Sequence, residues 1–210
     1  MALIRYRFSM RKYLAFWLFV FIPSFMVAQT DRFAEKILNK VYEELTNTNG
    51  IRADFEGTES GVLLLKQEKF YFNNSHMQIW FDGKNQWSYI HESEEVNIVH
   101  PNLEDLQLIN PYLILKAYKT NYNYSYKGNI TKNGEKGYEI VLTPRNGETY
   151  ETIHFFISEN YRPISIRIEQ NGKLTSDINI ISYKDNQHLD NHTFQFDHSK
   201  YPNVEIIDLR

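Results

Sequence analysis

Apolar residues recur at every second position in about ten short segments of this 210-residue chain, and turn-forming pairs separate many of the segments. Residues 51–56 show the alternation clearly, which is typical of a half-buried strand. Asp82-Gly83 lies between two such segments and is a strong hairpin signal, and Asn171-Gly172 marks a later turn. The segments run on to residue 209 with one interruption. They predict a mainly β fold, with one strongly curved antiparallel sheet or an incomplete, open antiparallel β-barrel.

Helical spacing replaces this alternation in two regions. Residues 31–47 carry apolar side chains on one face, with Thr30 or Asp31 as a cap and Gly50 at the end. Residues 102–118 are interpreted as two short helices that Pro111 separates. The second of them is apolar on nearly every side, so it requires apolar contacts all round. We expect an N-terminal helix and two short helices to pack against the sheet.

The first 28 residues have the pattern of a secretory signal peptide. They contain four basic residues and no acidic residue, and an unbroken apolar run covers residues 14–22. Small residues near Ala28 suit cleavage, so the mature chain is expected to begin near Gln29. The run is shorter than the roughly 20 residues of a membrane-spanning helix. An uncleaved N-terminal anchor is the alternative, and Met10 is an alternative start.

Without residues 1–28 the chain has 19 Lys and Arg against 26 Asp and Glu, a formal charge of −7. A domain this acidic, with no basic stripe, argues against nucleic acid or an anionic membrane surface as the main partner. The chain contains no cysteine. This excludes a disulfide framework, a lipidated cysteine and a thiolate metal site.

No pattern of residues predicts catalysis or metal binding. His188, His192 and His198 lie in a polar stretch that we interpret as a surface loop rather than a metal site. His154 lies on a strand, on the opposite face from its apolar neighbours, and is expected to be solvated. No Gly-x-Ser-x-Gly or phosphate-loop motif is present. We therefore expect neither an enzyme nor a cofactor.

Several predicted strands are apolar on both faces, including residues 62–65, 70–72, 80–81 and 153–156. A strand with two apolar faces is buried on both of them. One of the two faces could line an internal cavity, or the residues could fill an ordinary packed core beneath the N-terminal helix. The residues alone leave both alternatives open.

Five local motifs follow one another along residues 29–210. They are Gly61–Lys66 followed by Phe70, Asp82–Tyr89, Asn110–Ile114, Ile140–Pro144, and predicted closing strands at Phe194, Phe196 and Val204. In their order and spacing they resemble the motifs of the LolA family of bacterial lipoprotein carriers over nearly the whole of this range. The Asp-Gly-Lys-x-x-Trp-x-Tyr hairpin, residues 82–89, is the most specific of them.

The resemblance implies a single domain over residues 29–210, an incomplete barrel whose opening is covered by lid helices. It also implies a periplasmic, non-enzymatic carrier that binds the acyl chains of lipoproteins. The implied partners are acylated lipoproteins, an inner-membrane lipoprotein-releasing ABC transporter and an outer-membrane acceptor, with the carrier itself a monomer. A lipid- or protein-binding sensor or regulatory module of the same fold, without transport, is the alternative.

Eight residues are predicted to form the lipid-binding cavity and its lid, on the basis of strand alternation, the hairpin match and the apolar faces of the short helices. They are Trp80, Trp87, Tyr89, Leu106, Ile109, Leu113, Phe155 and Ile166. One departure from the family concerns the lid. In well-studied members an Arg follows the Lys of a Lys-x-Pro segment and holds the lid by hydrogen bonds. This chain has Lys66-Gln67-Glu68 instead, so a different lid contact is expected.

Overall fold

The computed structural model describes residues 23–107, 109–145 and 151–210. Most of the predicted signal peptide, residues 1–22, lies outside the described residues. The first helix, α1, covers Pro23–Thr46 and thus begins eight residues before the predicted start at Asp31. Proline is favoured in the first helical turn, and residues 24–30 contain no further Pro and no Gly to interrupt the helix.

Twelve strands follow α1 in the described part of the chain, two more than the approximate number predicted. Their order along the chain is interrupted by helices α2 (Leu103–Gln107) and α3 (Pro111–Asn121), which lie between β6 and β7. The strands are β1 (Ile51–Gly57), β2 (Gly61–Lys66), β3 (Lys69–Asn74), β4 (Met77–Phe81), β5 (Gln86–Ile90), β6 (Glu95–Val99), β7 (Tyr122–Lys132), β8 (Glu135–Pro144), β9 (Glu151–Ser158), β10 (Pro163–Gln170), β11 (Lys173–Lys184) and β12 (Glu205–Asp208).

All twelve strands belong to one sheet, in the order β12-β6-β5-β4-β3-β2-β1-β11-β10-β9-β8-β7. Every pairing is antiparallel except that of β12 with β6, which is parallel. The edge strands β7 and β12 do not pair with each other, so the sheet stays open. The predicted fold class, a mainly β open antiparallel barrel with an N-terminal helix and short lid helices, is confirmed.

The register of the sheet places one set of apolar side chains on its inner face. Ala53 is paired with Leu63, and Ile166 is paired with both Phe155 and Ile178. The buried stripe of α1 packs on this face, together with most of α3; it comprises Ala34, Ile37, Leu38, Val41 and Leu45. Because β1, β2, β9, β10 and β11 all border the same enclosed space, the sheet curves around the helices.

Helix α3 begins at Pro111, and Asn110 is its N-cap. The Asn110 Oδ1 atom accepts a hydrogen bond from the Tyr112 backbone N–H at 3.0 Å. Proline suits the first helical position because its φ angle is already helical and its missing N–H would have no helical partner. Pro111 therefore starts α3, while α2 already ends at Gln107. The prediction that this second helix requires apolar contacts on several sides agrees with its five buried residues, Tyr112, Leu113, Ile114, Leu115 and Tyr118.

The prediction of a strand around Phe194 and Phe196 is wrong. Residues 191–194 and 198–200 form two 3-10 helical turns instead. The side chains of Asp190 and Asp197 accept hydrogen bonds from the backbone N–H groups of Thr193 and Ser199, which stabilises turns at the expense of strand pairing. This C-terminal segment covers the outer face of β3 and β4.

The C-terminal segment also explains why some strands are apolar on both faces. Phe194 of this segment is fully buried. The Phe196 ring lies 5.5 Å from the ring of Trp80 and 5.2 Å from that of Tyr201, measured between centroids. The outer face thus has an apolar cluster of its own. No helix within residues 23–107, 109–145 and 151–210 is both long enough and apolar enough to span a membrane.

Candidate ligand-binding site

A cavity of about 320 Å³ lies between the inner face of the sheet and the helices. Its wall combines residues from opposite ends of the sequence, because β1 pairs with β11 and so joins the first strands to the last ones of the meander. Contributors include Val41 and Leu45 from α1, Phe55 from β1, Phe155 from β9, Ile166 from β10 and Ile178 from β11.

The wall of the cavity is almost entirely apolar. Among the described residues that line it, Glu59 is the only one with a charged side chain, and Tyr183 carries the only phenol. Burial raises the pKa of Tyr183 to about 12, so this phenol is neutral at physiological pH. Such a surface offers burial to hydrocarbon and few hydrogen bonds to anything else.

The cavity opens to solvent beyond the end of β1. Its only exposed lining residues among those described are Thr58, Glu59 and Thr175, and we call these three residues the mouth. Thr58 and Glu59 lie in the turn between β1 and β2, and Thr175 lies near the start of β11. A ligand with one polar end could therefore keep that end in water while its remainder is buried.

Helices α2 and α3, here called the lid, cover the cavity on the side away from the mouth. Ile109, Pro111, Ile114 and Leu115 contribute to the cavity wall. The Tyr112 ring stacks on that of Tyr42 of α1 at a centroid distance of 5.4 Å. Burial, with the nearby Tyr42 hydroxyl, raises the pKa of Tyr112 to about 12.

The lid is fixed to the turn between β2 and β3 by the side chain of Asn110, which is fully buried. Its Nδ2 atom donates hydrogen bonds to the backbone carbonyls of Gln67 at 3.2 Å and Glu68 at 3.0 Å. Lys116 of α3 forms an exposed ion pair with the Glu68 side chain. We call the Asn110 hydrogen bonds the latch. The latch is the different lid contact that was expected in the absence of the Arg. It uses the backbone carbonyl of Gln67 rather than the Gln67 side chain.

The structure places three of the eight predicted site residues on the cavity wall: Ile109, Phe155 and Ile166. Two more, Leu106 and Leu113, belong to the lid and are buried in the surrounding hydrophobic core. The structure brings these five together on the inner side of the sheet.

The remaining three predicted residues, Trp80, Trp87 and Tyr89, lie on the outer face of the sheet. Trp80 is paired with Trp87, and its neighbours Ile79 and Phe81 are the residues of β4 that face inward. Tyr89 contacts Tyr201 of the C-terminal segment at a ring-centroid distance of 4.9 Å. Neither the hairpin motif, which contains Trp87 and Tyr89, nor the apolar alternation around Trp80 indicates which face of the sheet these residues occupy.

Sequence reasoning missed part of the wall, in particular Val41, Leu45, Phe55, Ile178 and Ile180. The signal was present for several of them. Val41 and Leu45 belong to the apolar stripe predicted for α1, and Phe55 has the same strand parity as the inward residues of β1. What the sequence did not indicate is that β1 and β11 lie side by side.

The exposure of one histidine, His154, differs from the prediction. His154 is half-buried rather than solvated, because its Nδ1 atom lies 2.8 Å from Glu139 Oε1 and its Nε2 atom lies 4.0 Å from Glu169 Oε1. Within the part of the chain that the structure describes, no group of three or more His, Cys, Asp or Glu residues is arranged to hold a metal ion.

The chain is similar to known proteins over most of its length. The family model described as outer membrane lipoprotein carrier protein LolA matches residues 24–173. A Methanocaldococcus jannaschii protein described as uncharacterized is 24% identical over 172 residues, which cover 75% of this chain and 51% of the relative. The chain therefore spans about half the length of that relative.

Two solved structures are similar to this chain to different degrees. An uncharacterized conserved protein from Thermus thermophilus superimposes with a TM-score of 0.57 at 13% sequence identity, covering 83% of this chain and 98% of that one. A LolA superfamily protein from Nitrosomonas europaea gives a TM-score of 0.41 at 14% identity, covering 79% of this chain and 98% of the other. The first of these shows a shared fold.

Proposed function

This chain belongs to the LolA family of outer membrane lipoprotein carrier proteins, and from that membership we propose that it shields the acyl chains of lipoproteins in its cavity and carries them toward the outer membrane. We further propose that residues 1–28 are removed on export to the periplasm and that residues 29–210 act as one domain. The donor is an inner-membrane ABC transporter and the recipient an outer-membrane acceptor. The chain works as a monomer, without a cofactor and without catalysing a reaction.

The observation that carries this proposal is the apolar cavity with a single charged lining residue. Burial of an acyl chain gains about 0.8 kcal/mol per CH₂ group. A carrier has to bury the acyl chain about as well as the membrane does. Side chains such as Phe55, Phe155 and Ile166 supply that burial. The aliphatic and aromatic side chains that form most of the described wall suit the solvation of hydrocarbon.

The lid supports the release of cargo. Helices α2 and α3 contain 5 and 11 residues, and isolated helices of fewer than about 12 residues are marginally stable in water. The lid is therefore held by its contacts with α1 and the sheet rather than by its own helical stability. A segment of this kind can open locally without unfolding the sheet.

Binding can be tested with N-phenyl-1-naphthylamine, an uncharged probe that fluoresces in apolar surroundings. We expect the purified mature protein to bind the probe and to release it when 1-monododecanoylglycerol is added. Ile178→Glu, which places a charge in the cavity wall, should abolish both effects. Ile181→Glu is the matched control, because Ile181 lies three residues away on β11 with 59% of its side chain exposed.

Equal probe binding by folded Ile178→Glu and Ile181→Glu variants would contradict the proposed site. Transport is tested separately, with protein loaded with a fluorescent di-acylated peptide and mixed with an excess of unloaded protein. A carrier exchanges the peptide between copies, whereas a sensor retains it. Retention over hours would favour the non-transporting alternative.

A further inference from the structure

The mouth is where the polar end of an acyl ligand meets water, because the rest of the cavity wall is mostly apolar, with Gln107, Ser176 and Tyr183 as its polar members. An unpaired polar group that is moved from water into apolar surroundings costs several kcal/mol. Thr58, Glu59 and Thr175 are the described lining residues with the most solvent-exposed positions. The chemistry of these three side chains therefore decides which head groups the cavity accepts.

The rim of the mouth is built by close backbone contacts between β1 and β11. Gly57 has a φ angle of +143°, and a Cβ atom there would lie 1.9 Å from the carbonyl oxygen of Asp177. The Thr58 backbone N–H donates to that same carbonyl at 3.0 Å, and the Thr58 hydroxyl accepts from the Asp177 N–H at 2.9 Å. The hydroxyl of Thr175 donates to the Ile168 carbonyl at 3.0 Å. Both hydroxyl groups are thus already engaged with the backbone.

Glu59 is positioned from the other side of the mouth. Its Oε2 atom accepts a hydrogen bond from the side-chain amide of Asn74, at the end of β3. Asn74 is buried, and its own Oδ1 atom accepts from the backbone N–H groups of His76 and Met77 at 2.9 and 2.8 Å. The Glu59 carboxylate is therefore tied to a rigid turn beside the opening.

The charge of this carboxylate is not neutralised by any cation within the described ranges. None of the ion pairs among the described residues involves Glu59. The hydrogen bond from Asn74 is made by a neutral amide and leaves the full negative charge in place. A ligand at the mouth consequently meets a fixed anion.

We infer that Glu59 makes the mouth selective for acyl ligands whose head group carries no negative charge, an inference that rests on the proposed function. Esters, amides and amines are accepted, whereas the carboxylate of a free fatty acid and the phosphate of an anionic lipid are disfavoured. Two like charges about 4 Å apart in water-like surroundings weaken binding by about fivefold. The effect is expected to shrink at high ionic strength, since salt screens charges that are exposed.

The test compares two ligands with the same 12-carbon chain, dodecanoic acid and 1-monododecanoylglycerol, in displacement of N-phenyl-1-naphthylamine at pH 8 and low salt. We expect the wild-type protein to bind the ester about fivefold more tightly than the acid. Glu59→Gln should strengthen binding of the acid by about the same factor and so remove the preference for the ester. Addition of 0.5 M NaCl should reduce the wild-type preference.

Glu56→Gln is the matched control for net charge. Glu56 is an exposed carboxylate on β1 only three residues away, but it does not line the cavity. Equal affinities for the two ligands in wild type, or equal effects of Glu56→Gln and Glu59→Gln, would overturn selection by Glu59 while acyl binding itself stands. Failure of both ligands to displace the probe would overturn the proposed function together with this inference.

Discussion

The side-chain amide of Asn110 donates a hydrogen bond to the backbone carbonyl of Glu68 at an Nδ2–O distance of 3.0 Å. The two residues are 42 positions apart and belong to the lid and to the β2–β3 turn. The same Asn110 side chain caps α3 through the Tyr112 N–H. One buried residue therefore both starts the second lid helix and fixes it to the sheet.

Replacement of Asn110 should loosen the lid more than it lowers the stability of the sheet. Asn110→Ala removes the cap, at about 0.5–2 kcal/mol, and leaves two carbonyls without a donor, at about 1–3 kcal/mol each if they stay buried. Asn110→Asp keeps a cap acceptor but cannot donate to Gln67 and Glu68. We expect faster amide hydrogen exchange in residues 109–121 for both variants, with β9 and β10 unchanged.

Two further variants separate the latch from neighbouring contacts. Asn102→Ala removes the hydrogen bond from the Asp105 N–H at the start of α2 without touching the latch. Lys116→Met removes the exposed ion pair with Glu68, which is worth about 0–1 kcal/mol. Exchange in α3 should stay close to wild type in both. Wild-type exchange in Asn110→Asp would show that the latch does not hold the lid.

Leu113→Glu should open the lid and abolish probe binding while most β-structure remains. Leu113 is buried at 3% exposure in the core between α3, α1 and the sheet. A carboxylate cannot stay there without losing several kcal/mol of solvation, whereas the twelve strands pair without it. Thr120→Glu, an exposed change on the same helix, serves as the control. Unchanged probe affinity in a Leu113→Glu protein with native far-UV circular dichroism would show that α3 does not gate the cavity.

The sequence predicts the cavity-wall residues of regular strands better than it predicts which tryptophans face the cavity. Phe155 and Ile166 have regular strand parity and lie on the cavity wall. Residues 79–81 are apolar on both faces, so alternation cannot assign Trp80 to either one. The face that Trp80 occupies depends on residues 194–201, which cover the outer face of the sheet. These residues lie more than a hundred positions later in the sequence. Long-range packing of this kind leaves no periodic signal.

The latch was missed for a different reason. An Asn followed by Pro is a local signal for an N-cap and a first helical residue, and it indicates where α3 begins. The other end of the latch is a pair of backbone carbonyls, which carry no side-chain signature. Residue identity therefore indicates the Asn110 cap but not its partner at Gln67 and Glu68.

The free energy of unfolding should fall between about pH 10 and pH 12. Part of this fall arises because Tyr183 stays protonated in the folded protein while it loses its proton in the unfolded chain. Burial raises its pKa from 10.0 to about 12. Below pH 10 the folded and unfolded states both keep the proton, so the contribution to stability is complete. Above pH 10 the unfolded state loses the proton first, and the contribution disappears as the pH approaches the folded pKa. Urea unfolding at pH 8, 10 and 11 should show a smaller loss in Tyr183→Phe than in wild type. Parallel losses in the two proteins would contradict this assignment.

Trp80→Phe should lower stability without changing acyl-probe affinity. Trp80 is 7% exposed and packs on the outer face against Phe196 and Tyr201, with ring centroids 5.5 and 6.1 Å away. A smaller ring leaves a void in this outer cluster, and large-to-small substitutions of this type cost about 1–3 kcal/mol. The cavity is on the other side of the sheet, so its wall is untouched.

Urea unfolding gives the stability, and N-phenyl-1-naphthylamine titration of the folded variant gives the affinity. Ile166→Ala, a truncation on the cavity wall, is the comparison and should change both quantities. A loss of probe affinity in folded Trp80→Phe that matches the loss in Ile166→Ala would show that the outer cluster takes part in binding.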